Sequence, residues 1–217
     1  MRGAVKARPA RSAAARRRPQ QPRAQQTARA LQEALVQLLA GRDYAGISIR
    51  EIVSVAGTGL GSFYEYFASK DDLARVCLHL RSKALLAALQ AAGERCAGQP
   101  LADVAAAVVD ALADAHRGPA SEWDAHYLLE RHLSGAEAYR KMYERFVDGW
   151  AQAFAGAADP LPAGRLREAA LLSHTLAYGL FSNAFIGSRG QGVDVARLGC
   201  CARDAVLACV AAAAQGR

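Results

Sequence analysis

The alternation of apolar and polar residues that marks a half-buried strand is almost absent from this 217-residue chain, so a sheet has no support. What remains is alanine-rich and 52% hydrophobic, enough to bury a sizeable core, and the expected fold is all-α. No apolar run reaches the ~18 residues expected of a membrane-spanning helix, so no membrane partner is expected. The five cysteines, Cys77, Cys96, Cys200, Cys201 and Cys209, are odd in number and give no disulfide framework. With no secretory signal in view, a reducing, cytoplasmic setting is expected. Signatures of catalysis are missing as well. There is no strand for a glycine-rich phosphate loop to follow, no G-x-S-x-G elbow, and no pair of histidines at metal-ligand spacing. Cys200 and Cys201 are adjacent, and adjacent residues on a helix point about 100° apart, poor geometry for joint chelation. Neither enzyme activity, nor a cofactor, nor a metal is expected.

Positive charge is present, but in one place. Residues 1–26 carry seven arginines, one lysine and no acid, while residues 27–75 sum to −1 and residues 76–217 to zero. The basic segment also holds Pro9, Pro19 and Pro22 and almost no large apolar residue. It is expected to be a disordered arm. An arginine-rich arm can neutralise phosphates or enter a minor groove, or it can be a passive tail.

The most specific signal is the stretch from Ser48 to Leu73, SIREIVSVAGTGLGSFYEYFASKDDL. Ser48 with Glu51, and Ser69 with Asp72, have the spacing of capping boxes that open helices. Between them Ile49, Ile52, Val53 and Ala56 share a helix face, and Gly57 is a suitable stop. Gly59 can cap the next helix, on which Phe63 and Phe67 share an inward face. Two short helices around a glycine turn are the layout of a helix-turn-helix, which reads DNA with the first turn of its second helix. Leu60 and Gly61 fall there. Lys70, at the next helix start, sits where amides and an ammonium can hold a phosphate.

From about Thr27 to Leu80 the chain resembles the N-terminal domain of the tetracycline-repressor (TetR) family of bacterial regulators. The resemblance rests on Ile52, Ala56, Gly57, Gly61, Ser62, Phe63, Tyr64, Tyr66, Phe67, Ser69, Lys70 and Leu73, preceded by Ala30, Leu31, Ala34, Leu35, Leu38, Leu39 and Tyr44. It implies that Ser48, Arg50, Leu60, Gly61, Ser62, Tyr64, Tyr66 and Lys70 face DNA. Three positions depart from the family's habit. Thr58 stands where an apolar residue is usual and Gly59 where serine is frequent. Leu60 replaces a polar or basic residue, and a leucine offers a base only apolar contact, such as with a thymine methyl.

Downstream the sequence reads as further helices, broken at Gly98 and Pro100, at Gly118-Pro119, and at Pro160 and Pro162. Ser121 with Asp124 looks like a third capping box. Two alanine- and leucine-rich helices, about 164–187 and 193–214, close the chain. About nine helices result: a basic arm at 1–26, a three-helix helix-turn-helix domain at 27–73 and a helical domain at 74–217. The resemblance implies that this last domain holds an effector cavity and dimerises through its final two helices.

Trp123, His126, Tyr127 and Glu130 share one helix face, and His174 and Tyr178, with Phe181 and Phe185, share another. Both have the mixture of apolar wall and few polar groups that a ligand pocket needs. Tyr143, on the stripe from Tyr139 to Phe154, is a third contributor. Ordinary core or interface packing is the competing reading of each of these faces, and the stronger one by residue type alone. The Trp123 and Glu130 pair suggests an apolar effector with one polar or cationic end. The reading is a ligand-responsive transcriptional regulator, a repressor binding a near-palindromic operator as a homodimer. The alternative from another class is a DNA-binding accessory protein without an effector response, which a well-filled core would favour.

Overall fold

The computed structural model describes residues 22–188 and 191–215, and the expectations placed on residues 1–21 lie outside the described residues. Nine α-helices and one 3-10 turn account for the regular structure among the described residues, with no strand. They are α1 Pro22–Leu39, the 3-10 turn Tyr44–Gly46, α2 Ile49–Val55, α3 Leu60–Tyr66 and α4 Lys70–Arg95. Then follow α5 Leu101–Ala115, α6 Ala120–Leu133, α7 Ala136–Ala155, α8 Ala163–Ser188 and α9 Val195–Ala214.

The first helix starts at Pro22, five residues before the expected boundary at 27. Proline suits that place, since a first-turn N–H has no intrahelical partner to lose. Ser48 caps α2 in both directions: its hydroxyl accepts from the Glu51 amide and its own amide donates to the Glu51 carboxylate. Ser69 accepts from the Asp72 amide, but Asp72 reaches back to the Ala68 amide, so that capping box is only half formed. The capping box expected at Ser121 and Asp124 does not exist. α6 starts at Ala120, two residues before the start that a Ser121 cap would give, after Pro119, whose fixed φ already sets the helix entry and which has no side-chain acceptor.

Two cores result. Leu31, Leu35, Ile47, Ile52, Phe63, Phe67 and Leu73 fill the smaller one, inside the helix-turn-helix. The larger one runs from Leu85 to Val210 and centres on Trp150, Phe154, Phe181 and Phe185, all fully buried. The expected boundary at 73 falls within the first turn of α4, a continuous helix that serves both cores: Leu73, Ala74 and Leu78 go to the first, Leu85, Leu89 and Ala92 to the second. α6 reaches across between the layers as well, with Leu129 buried in the small core and Leu133 packed against it.

α4 crosses α7 closely because Gly93 has no side chain. A Cβ there would lie 2.7 Å from the Ala153 Cβ. The helix Gly164–Ser188 is long and apolar enough to cross a membrane by composition, with mean hydropathy 1.2, which departs from the expectation of no such run. Here it packs against α6, α7 and α9 and buries Ser173, His174 and Ser182 along with its apolar face.

Candidate nucleic-acid interface and effector cavity

The turn between α2 and α3 is set by Gly57, whose φ of 64° lies in the left-handed region where a Cβ is costly. The chain then passes Thr58, whose buried hydroxyl has no partner, a small cost of threonine at this place. Gly59 supplies an extended N-cap without a side-chain bond. Phe63 and Phe67 turn inward, which leaves Gly61 on the outer side; Tyr64, to the side of them, and Leu60, at the open first turn of α3, are exposed as well, by 48% and 42%. Ser48 and Arg50 are exposed beside them at the start of α2, while Ser62 and Tyr66 are half-buried. Arg42 is not a free cation here. It pairs with Glu51 at 2.5 Å and donates to the Gly46 carbonyl. The Arg42 bond and the Ser48 contacts hold the Glu51 carboxyl low, at about 2.

Lys70 differs from its expected role. Its ammonium donates to the Tyr44 and Ile47 carbonyls, both at 2.7 Å, and lies 4.2 Å from the Tyr44 ring centroid. The Tyr44 hydroxyl in turn donates to Asp71 at 2.5 Å. Lys70 thus ties the 3-10 turn to the start of α4, where sequence spacing alone suggested a side chain held out for phosphate.

The second site is a cavity of about 40 Å³ inside the larger core, at the meeting of α4, α5, α6, α7 and α8. Five of the seven expected ligand residues line it: His126, Tyr127, Glu130, His174 and Tyr178. Trp123 and Tyr143 do not. Trp123 lies a turn ahead, its face covered by the Arg81 guanidinium at 4.5 Å and by the His116 ring at 4.0 Å. The expected cation–π place is therefore taken by the protein's own arginine, which also pairs with Glu122 at 3.0 Å. Tyr143 is turned aside, its hydroxyl hydrogen-bonded to Thr175 and its ring packed on His174 from outside.

His116 was missed from sequence, yet it is central to the cavity wall. It caps the end of α5 just before Gly118-Pro119, which was its one available signal. Its Nδ1 lies 2.6 Å from the Leu112 carbonyl, an acceptor only, so Nδ1 carries the proton and Nε2 accepts from the Tyr127 hydroxyl at 2.7 Å. Burial pushes His116 and His174 down to about 4 and His126 to about 3, so all three are neutral near pH 7. His174 stacks on Phe146, and its Nε2 is buried without a partner. Burial raises the pKa of Glu130, and the Tyr178 hydroxyl, donating at 2.8 Å, partly offsets this. The wall is thus mostly aromatic, uncharged at the histidines, and carries one carboxyl and one orphan nitrogen. Among the described residues no cluster has the makings of a metal site.

A helix-turn-helix head on a helical body with an internal cavity is an architecture that likeness to known proteins narrows. Residues 31–77 match the family described as bacterial regulatory proteins, tetR family. No curated protein is matched by sequence. Among solved structures, a transcriptional regulator from Rhodococcus sp. Rha1 superposes with TM-score 0.65 at 22% identity, covering 87% of this chain and 96% of that one. A TetR-family regulator from Mesorhizobium loti gives 0.63 at 18%, covering 88% and 98%. The regulator FadR from Bacillus subtilis, solved with stearoyl-CoA, gives 0.64 at 13%, covering 82% and 97%. Residues 31–77 thus resemble a tetR-type DNA-binding region, and the described chain shares the fold of solved TetR-family regulators.

Proposed function

We propose that this chain is a homodimeric, effector-responsive repressor acting in the cytoplasm. Its two reading heads, residues 22–73, grip successive major-groove faces of a near-palindromic operator. Arg50, Leu60 and Gly61 meet base edges, and Ser48, Ser62, Tyr64 and Tyr66 hold phosphates. Lys70 acts on DNA by fixing the turn, with a phosphate contact as an addition. Residues 74–217 bind the effector through His126, Tyr127, Glu130, His174 and Tyr178, with Trp123 and Tyr143 supporting the wall from behind, and dimerise through α8 and α9. The exposed Leu171 and Leu172 of α8 support that dimer face.

The observation that carries this reading is the double attachment of α6. One face of that helix gives His126, Tyr127 and Glu130 to the cavity. The other gives Leu129 to the core of the reading head and sets His132 edge-on to Tyr44 at 5.8 Å. A ligand that widens the cavity therefore displaces a helix the head is built on. It shifts the equilibrium only as far as its affinities for the two conformers differ.

The cavity's size supports a second reading. Forty cubic ångströms holds one or a few waters, whereas small-molecule sites are typically about 300–1,000 Å³. Either the cavity opens on binding or the protein is an accessory DNA binder with no effector. Sequencing the genomic fragments retained by the purified protein tests the common part, and an enriched, near-palindromic motif is the expected outcome. Retention of no motif above bulk DNA refutes both readings. A retained motif that no small molecule from the surrounding gene products' chemistry displaces leaves the accessory reading standing.

A further inference from the structure

Between α4 and α7 a groove of about 830 Å³ opens on the surface. α4 contributes Arg75, His79 and Lys83, spaced four apart and hence in one row, and α7 contributes Lys141 and Arg145, likewise four apart. All five are exposed. Lys141 pairs with Glu137, but among the described residues Arg75, Lys83 and Arg145 have no acidic partner within ion-pair distance. The floor between the two rows is apolar, with Leu78, Leu86, Met142 and Phe146. This basic concentration stands out in a body whose charges sum to nearly zero with it included.

The groove is also the cavity's neighbour. Ser82, Glu130, Met142 and Phe146 line both spaces. Behind them the cavity holds His174 Nε2, 4% exposed as a residue and without a hydrogen-bond partner, a polar atom that a ligand or water atom would complete. Met142 is half-buried and unbranched, the kind of side chain that moves aside at little cost.

We infer that the groove and the cavity form one site for an amphipathic anion, whose carboxylate or phosphate head lies between the Lys83 and Arg145 rows and whose apolar body enters past Met142 and Phe146. This rests on the effector-cavity reading and assigns its ligand class. It reverses the cationic preference expected from Trp123 and Glu130. The Trp123 face is occupied by Arg81, and Glu130 is engaged by Tyr178 and held by its buried setting toward the neutral acid. What stays unpaired at the mouth is positive.

Isothermal titration of the full chain with decanoate, decan-1-ol and decyltrimethylammonium, all below micelle formation, tests the assignment. Decanoate should bind most tightly and the ammonium most weakly. The double variant Lys83→Gln, Arg145→Gln should weaken decanoate about three- to tenfold, the range for partly exposed ion pairs, and leave decanol unchanged. Both side chains are exposed, and circular dichroism checks that the variant folds. Equal decanoate affinity in wild type and variant, or preference for the ammonium, overturns the anion groove while sparing the cavity. Absence of binding by all three overturns the groove and counts against the cavity as well.

Discussion

Replacing Lys70 by alanine separates two roles that one ammonium can play. If Lys70 only touches phosphate, its loss leaves the fold alone and reduces the slope of log affinity against log salt by about 0.9. The structure assigns it two bonds to main-chain carbonyls at 2.7 Å and a place over the Tyr44 ring. A hydrogen bond from a charged donor is worth about 1.5–3 kcal/mol, and an exposed cation–π contact about 0.5–1. Lys70 is only half-buried, and water can reach the freed carbonyls because Ala45 and Gly46 are exposed, so the loss falls below the roughly 3.5–7 kcal/mol to which the three contacts would sum. About 2–3 kcal/mol of local stability is expected to go. Tryptophan fluorescence is blind to this change, since Trp123 and Trp150 both lie in the larger core. Amide hydrogen exchange by mass spectrometry on peptides spanning 44–67 reads it directly, and protection should fall about 30- to 150-fold. Arg50→Ala, which removes an exposed side chain, should change protection by less than about twofold while weakening DNA binding. Unchanged protection in Lys70→Ala, together with a salt slope lower by one unit, would refute the structural role and restore the simple phosphate contact.

Tyr64→Ala should weaken operator binding while shifting stability by no more than about 0.5 kcal/mol, because the ring is 48% exposed; thermal melting with a DNA titration checks both. Deleting residues 1–21, a cut placed to spare α1, should flatten the salt dependence of DNA affinity by about 0.9 for each phosphate the arm neutralises, and an unchanged slope would make the arm a passive tail. His116, His126 and His174 are depressed in the fold from 6.5, so their stabilising contribution is complete above about pH 6.5 and is lost as pH falls toward 4 and below. Each steepens the loss by up to about 1.4 kcal/mol per pH unit, Glu130 working in the opposite sense because its acid form is favoured by folding, and a urea midpoint flat from pH 7 to 4.5 would contradict this. Gly93→Ala should destabilise by about 1–3 kcal/mol, since its Cβ would meet the Ala153 Cβ at 2.7 Å, and Ala153→Gly should rescue it in a double-mutant cycle read by urea unfolding.

The reading head was legible because its signals are local. A serine three residues before a glutamate, a glycine at a helix end and two phenylalanines four apart each act within one turn of helix, and the structure forms all of them. Local signals misled where two of them competed. Ser121 and Asp124 have cap spacing, but Pro119 already fixes the helix entry, so the serine is carried into the first turn. The structural role of Lys70 was hidden for a different reason. Its partners are carbonyls 23 and 26 residues back, and no spacing rule reaches that far.

The cavity illustrates the same division between faces and walls. Helical periodicity correctly put His126, Tyr127 and Glu130 on one face of α6, and His174 and Tyr178 on one face of α8. It could not tell that Trp123, on the same stripe, would be claimed by Arg81 from α4, nor that His116, at a helix end with no stripe, would stack on Phe181 at 4.3 Å and complete the wall. A face is a property of one helix, whereas a wall is decided by which neighbour arrives first. The coupling role of α6 has the same origin. Leu129 and Glu130 are consecutive in sequence, so on α6 they must point about 100° apart, and only the packing of α1 and α4 on one side and α8 on the other sends the first into the reading head and the second into the cavity. Adjacent residues feeding two cores leave α6 no way to move for one without moving for the other.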